Sequence, residues 1–158
     1  MPETSQNSNN NEPNFVAFKV CDQEYCVDIM AVMEIRGWTK ATALPQAPPY
    51  LLGVINLRGS VVPILDFPLR LGLKSKGSKR AVTVIVQTGE RHYGLLVDEV
   101  SEILAIDPAE IKPAPDLVND DAPKFVSGVI ARDDRLIRVI DLLGVAPVVV
   151  TTPLAEIA

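Results

Sequence analysis

The chain repeats itself, and the repeat limits its fold more than any other feature. At an offset of 68 residues, YCVDIMAVMEI (25–35) lies over YGLLVDEVSEI (93–103), with Tyr25/Tyr93, Val32/Val100, Glu34/Glu102 and Ile35/Ile103 identical. At an offset of 67, LPQAP (44–48) lies over IKPAP (111–115). At an offset of 75, GVINLRGSVVPILDF (53–67) lies over GVIARDDRLIRVIDL (128–142), with Gly53/Gly128, Val54/Val129, Ile55/Ile130 and Asp66/Asp141 identical. The insert LVNDDAPK (117–124) absorbs the change of offset. Order and spacing agree across three segments, which implies two similar units of roughly 65 residues, each too small to bury much surface alone. The two should therefore share an interface, and a groove between them is the natural binding site.

Within each unit the pattern is one of short strands. FVAFKV (15–20) is rich in β-branched and aromatic residues, and YCVDI (25–29) alternates apolar and polar positions. MEIR (33–36) and ATAL (41–44) are further short candidates, and PQAPPY (45–50) is a proline-rich connection leading into one helical turn. GVINL (53–57) and SVVPILD (60–66) flank Arg58-Gly59 as a tight hairpin. Pro63 inside the second run argues for an edge strand. VTVIVQ (82–87) with YGLLV (93–97), and SGVIA (127–131) with LIRVI (136–140), make two more hairpins, and SEILAI (101–106) stands between them. DPAEIKPAP holds a capped helical turn, while FPLRLGL (67–73) and DLLGV carry short helices. About ten short strands and no long amphipathic helix point to an all-β barrel or sandwich.

Composition narrows the function classes. Lys plus Arg number 15 against 20 Asp plus Glu, a net charge of −5. That balance argues against a non-specific nucleic-acid binder or a polybasic membrane-surface protein. The start, MPETSQNSNNNEPN, lacks the charged and apolar regions of a signal peptide, and Leu142–Ala155 is too short and too proline-rich to span a bilayer. The expectation is a cytoplasmic chain with a disordered polar tail at 1–14 and a single domain at 15–145. Within it the first barrel covers about 15–80 and the second about 81–145, and a tail follows at 146–158.

Catalytic chemistry has no support in the motifs. His92 is the single histidine, in GERHY, and reads as a solvated turn residue. No phosphate-binding glycine loop, metal-ligand spacing or local nucleophile motif is present. Cys21 and Cys26 stand in a C-x4-C spacing and read as reduced, half-buried thiols. Asp66 and Asp141 each end a strand at matching points, which favours a repeated capping role over an acid–base pair. The cluster Lys74, Lys76, Lys79 and Arg80 reads as a solvated loop. Arg58 is different, a charge at a hairpin tip between apolar strands, either plainly exposed or paired. Val32 and Ile35, on either side of Glu34, read singly as core.

At these residues the sequence resembles the CheW family, adaptors of bacterial chemosensory arrays. FVAF, YCVDIMAVMEIRGW, LPQAPPYLLGVINLRGSVVPILD, YGLLVDEVSEIL and IKPAP carry the resemblance, from about residue 15 to 144. It implies two intertwined five-stranded SH3-like β-barrel subdomains with short helical turns around a shared core. It also implies a non-enzymatic adaptor, without metal or cofactor, that joins chemoreceptor cytoplasmic tips to the histidine kinase CheA. The expectation that goes with it is a cytoplasmic protein associated with membrane-anchored receptor arrays, without direct membrane insertion or nucleic-acid binding, and with self-association in array rings as an option.

By motif, the resemblance puts Ile29, Val32, Ile35, Val97 and Val100 on a receptor-facing apolar groove. Gly53 and Arg58 match the glycine and arginine of the family's GV-x-NLRG motif, and Glu34 is the arginine's acidic partner. Phe125 and Gly128 fall where the kinase is expected to touch. A Glu34–Arg58 pair would fix the groove's geometry. Other readings stay open: the same scaffold in a pilus- or surface-sensing pathway, a small barrel binding oligonucleotide, and an enzyme with a spatially assembled site.

Overall fold

The alternating runs form strands because each buries one row of β-branched or aromatic side chains. In the computed structural model, which describes residues 13–73, 81–113 and 125–147, eleven strands are present. They are β1 (Asn14–Val20), β2 (Gln23–Asp28), β3 (Val32–Gly37), β4 (Leu51–Leu57), β5 (Ser60–Asp66) and β6 (Val82–Thr88). They continue as β7 (Arg91–Val97), β8 (Glu99–Ala105), β9 (Lys112–Pro113), β10 (Val126–Arg132) and β11 (Arg135–Ile140). Two short helices, α1 (Phe67–Arg70) and α2 (Leu142–Val145), follow β5 and β11. Single 3-10 turns stand at Ile29–Ala31 and Pro108–Glu110. Residues 1–12 and 148–158 of the expected tails, the basic cluster Lys74–Arg80 and the insert at 117–124 lie outside the described residues. Asn14 opens β1 and Ala146 is buried, so the domain reaches slightly past both expected ends.

The strands build a six-stranded sheet, β8-β1-β2-β11-β10-β9, and a five-stranded sheet, β3-β6-β7-β5-β4. The division expected near residue 80 separates the sequence repeats, but strand pairing does not follow it. Each sheet combines the first hairpin of one repeat with the later strands of the other. Each exchanged hairpin has one antiparallel join, β1 to β8 or β6 to β3, and one parallel join. The parallel joins are equivalent: Val139 pairs with Cys26 as Ile64 pairs with Gly94. The repeats have exchanged hairpins, so each sheet needs both halves of the chain. Neither sheet closes by hydrogen bonding its two outer strands together, and β9 makes one of them six-stranded rather than five. Its counterpart in the other sheet shrinks to a single bridge, Thr42 to Val54, so ATAL is no strand.

Three apolar clusters fill the molecule. Phe15, Ala17, Cys26, Leu104, Ile106, Ile130, Ile137 and Val139 fill the six-stranded sheet, and Ile55, Leu57, Val62, Ile64 and Ile85 the other. The largest lies between the sheets. It joins Phe18, Val20, Tyr25 and Val27 to Leu65, Phe67, Val84, Tyr93 and Leu95, with Ile140 and Val145. Phe18, Tyr25 and Phe67 meet there, Tyr25 edge-on to Phe67 at 5.5 Å. Each fully buried aliphatic or phenyl side chain in it contributes about 1.5–3 kcal/mol.

Local chemistry explains the element ends. Asp66 and Asp141 do cap helices, accepting from the Leu69 N–H and from the N–H groups of Leu143 and Gly144. Asp107 and Glu110 form a reciprocal capping box at the second 3-10 turn. The connection at 45–50 turns without forming a helix. Pro63 sits in an interior strand after all. β7 pairs with β5 only from Ile64 onward, so at Pro63 the strand has one neighbour. Gly53, at φ +146°, passes so close to the bridge that a Cβ would lie 2.2 Å from the Thr42 carbonyl oxygen. Gly53→Ala is therefore expected to destabilise the fold by about 2–4 kcal/mol, read by urea denaturation.

Candidate functional site

The candidate residues divide sharply by exposure. Ile29, in the first 3-10 turn, Val32, opening β3, and Val100, on β8, are each half-buried against the central cluster. Val32 lies on the five-stranded sheet, Val100 on the six-stranded one and Ile29 in the turn between β2 and β3, and all three pack against the cluster that both sheets share. Ile35 is 47% exposed and Met30, inside the 3-10 turn, 88% exposed, giving this region apolar side chains available to a partner. Met33 and Trp38, also exposed, extend it along β3, although only their position beside the motif marked them in the sequence.

Two of the expected groove residues are not on a surface. Val97 is 1% exposed and belongs to the central cluster, because β7 is an interior strand and this end of it packs between the sheets. Gly53 is buried, and its part is to let the chain at Thr42 approach β4. Gly128 repeats that arrangement on β10. It is buried, with a Cβ position 2.7 Å from Ile111 Cγ2 and 2.8 Å from the Lys112 carbonyl oxygen. Gly128 therefore allows the close pairing of β9 with β10. Phe125 is half-buried, with its ring beneath Arg70.

Glu34 and Arg58 do meet. Arg58 Nη2 donates to Glu34 Oε1 at 2.6 Å, and Arg36 Nη1 donates to Glu34 Oε2 at 3.3 Å. The pair spans the two open edges of the five-stranded sheet. Glu34 lies on edge strand β3 and Arg58 in the turn after edge strand β4. Arg58 holds a left-handed conformation, φ +50°, followed by Gly59 at φ +88°, in a two-residue turn. The Asn56 side chain braces that turn by accepting from the Gly59 N–H at 2.9 Å. A non-glycine residue there costs about 1–2 kcal/mol, so arginine holds a position where glycine would sit more easily. The hydrogen bond from Arg58 lowers the Glu34 pKa below the ordinary glutamate value, opposed by slight desolvation and helped by the charges of Arg58 and Arg36.

The other sheet has a corresponding closure that the motifs did not reveal. Glu102, repeat mate of Glu34 on edge strand β8, lies 2.8 Å from Arg135 Nη2, and Arg135 also forks onto Glu24 at 2.6 and 3.1 Å. Arg132 donates to the Ala105 carbonyl at 2.6 Å and grips Glu110, whose pKa falls to about 2 mainly through that bond. These arginines sit at the end of β10 and the start of β11, positions whose mates around Arg58 are not arginines. The signal was spatial, not local.

Nothing in this region is arranged to activate a nucleophile. Burial pushes the Cys26 thiol up to about 12, so it stays protonated near neutrality. Among the described residues no group of three or more His, Cys, Asp or Glu could hold a metal ion. His92 lies on β7, half-buried, not in the turn.

The ionic closure sets a pH signature. Because the folded Glu34 pKa is depressed, the contribution of its ionised form is present above the unfolded glutamate value and is lost as pH falls through the folded value. Carboxyl NMR titration of wild type is expected to place the Glu34 midpoint below that of an ordinary glutamate. Arg58→Ala is expected to move it upward.

Comparison with known proteins agrees with this architecture. The CheW-like domain family matches residues 14–148. The chain is 47% identical over 148 residues to the chemotaxis protein CheW of Rhizobium meliloti (strain 1021), covering 93% of this chain and 96% of that protein. It is 32% identical to the chemotaxis protein CheW of Bacillus subtilis (strain 168), covering 80% of this chain and 81% of that one. The solved structure of the scaffolding protein TtCheW from Thermoanaerobacter tengcongensis superposes with a TM-score of 0.76 at 33% identity, covering 83% of this chain and 90% of that one. With sequence, sheet arrangement and superposition in agreement, the chain belongs to the CheW family.

Proposed function

We propose that this chain is a non-enzymatic adaptor that couples chemoreceptor tips to the histidine kinase CheA within a chemosensory array. One observation carries the receptor half of the reading. Ile29, Val32 and Val100 each pack against the cluster shared by the two sheets and are left half-covered by their own fold, which supports reading them as the floor of a groove. A receptor tip is a helical hairpin, and an apolar stripe on a helix completes the burial of such a groove. Met30 and Met33 beside it have flexible, polarisable side chains that adapt to the helix surface. The Glu34–Arg58 closure holds β3, and so one wall of the groove, in register.

Such a contact is modest in area and weak on its own. Its strength in an array comes from many copies held at high effective concentration. Signalling then requires only that the adaptor bind the kinase-on and kinase-off arrangements with slightly different free energies. No covalent bond is made or broken.

The test is reconstitution of a CheA kinase with receptor fragments, measuring autophosphorylation with and without this chain. Receptor-dependent control of the kinase is expected only when the chain is present. Val32→Asp is expected to abolish receptor pull-down while circular dichroism and thermal melting show a folded protein. Normal pull-down by that folded variant would remove the groove from the account. Glu34→Arg combined with Arg58→Glu is expected to recover more coupling than either single change, and equal loss in all three variants would refute a positioning role for the pair.

A further inference from the structure

Arg70 reaches from one repeat to the matching point of the other. The offset of 75 that relates α1 to α2 makes Arg70 and Val145 repeat mates. Arg70 Nε donates to the Val145 carbonyl at 3.0 Å, and Nη2 lies 3.4 Å from the Gly144 oxygen and 3.3 Å from that of Ala146. Carbonyls at a helix end have no donor in a following turn, and the guanidinium supplies one. Its carbon also stands 4.2 Å from the Tyr50 ring centroid and 4.9 Å from that of Phe125. Those two rings are again related by the offset of 75. Each residue's carbonyl accepts, at 2.8 Å, from the backbone N–H of its helix cap, Asp66 or Asp141.

One guanidinium thus touches equivalent pieces of both repeats across their junction. The contact is not reciprocal, because Val145 is fully buried and has no side-chain donor. The neighbouring bonds run the same way. Arg91 donates to the Pro147 carbonyl and the Tyr93 hydroxyl to that of Leu142. Tyr25, the repeat mate of Tyr93, bonds instead to Gln23 on its own strand. The donors all lie on the five-stranded sheet and its helix, and the acceptors all lie in the turn that ends the six-stranded one.

We propose that Arg70 is a positioning residue: its fork, stacked on Tyr50 and Phe125 and bonded to the end of α2, sets the orientation of one sheet against the other and so the opening of the groove. The functional part rests on the groove reading given above. Tyr50, Phe125, Ile29, Val32 and Val100 all pack against the same central cluster. A close-packed interior transmits displacement, so a shift at the Arg70 contact moves the groove walls. Lysine cannot replace it, since a point charge neither stacks nor bridges several carbonyls in one plane.

The experiment uses the full chain carrying Arg70→Lys or Phe125→Leu. Residual dipolar couplings read the angle between the sheets, thermal melting reads stability, and titration with a receptor-tip fragment reads affinity. Both variants are expected to melt cooperatively and to keep the internal couplings of each sheet. The couplings should no longer fit the wild-type inter-sheet orientation, and affinity should fall at least about fivefold. Wild-type orientation in either folded variant, or a lower melting temperature with orientation and affinity unchanged, would overturn the proposal. The angle decides the role of Arg70 by itself, whereas failure of the unmodified chain to bind the fragment would overturn the groove reading.

Discussion

The burial of Phe18, Tyr25, Phe67, Tyr93 and Leu95 between two sheets governs the rest of the molecule. Neither sheet supplies that cluster alone, because Phe18 and Tyr25 come from the six-stranded sheet and Tyr93 and Leu95 from the other, and each sheet is itself made from strands of both repeats. The exchanged hairpins β1-β2 and β6-β7 carry the core residues into the opposite half and end at the parallel joins with β11 and β5. A unit of about 65 residues has a small interior and marginal stability, and sharing the largest core between two such units adds to the burial of both. Residues at the rim of this shared core, Ile29, Val32 and Val100 among them, are left half-buried by the fold, and the proposed receptor groove rests on them.

Each sheet remains open at its edges, and charge does what backbone pairing does not. Arg58 meets Glu34 across one gap. In the other sheet Arg135 meets Glu102 and Glu24, and Arg132 meets Glu110 and the Ala105 carbonyl. The edge strands β3 and β8 keep an unpaired backbone edge, and they also carry the exposed side chains Ile35 and Ile103. The pair at Arg58 is also tied to a left-handed turn, so one residue couples hairpin geometry to the closing of the sheet.

Much of this was legible in the residues. The duplication, the hairpin at Arg58-Gly59 and the caps Asp66 and Asp141 depend on spacing or short motifs, whereas the Glu34–Arg58 pair, 24 positions apart, was expected through the family resemblance. Other features depended on which strands became neighbours. Val97 looked like its repeat partner Ile29, yet β7 lies inside its sheet and that end of it is buried between the sheets. Gly128 was expected at a partner contact, and the structure shows it buried where Ile111 and Lys112 at the paired strand β9 leave no room for a side chain. Pro63 suggested an edge, and the short overlap of β7 with β5 accommodates it in the interior.

By itself the sequence determined two related units of short strands, the positions of their turns and caps, and the apolar rows available for burial, because period-two alternation and turn chemistry act over a few residues. Tertiary structure alone decided that the units exchange hairpins, that Arg135 and Arg132 serve one sheet as Arg58 serves the other, and that Arg70 meets Tyr50, Phe125 and the end of α2 at one point. Those contacts join residues up to 111 positions apart. Their geometry follows from the packing of a common core, which no local pattern encodes.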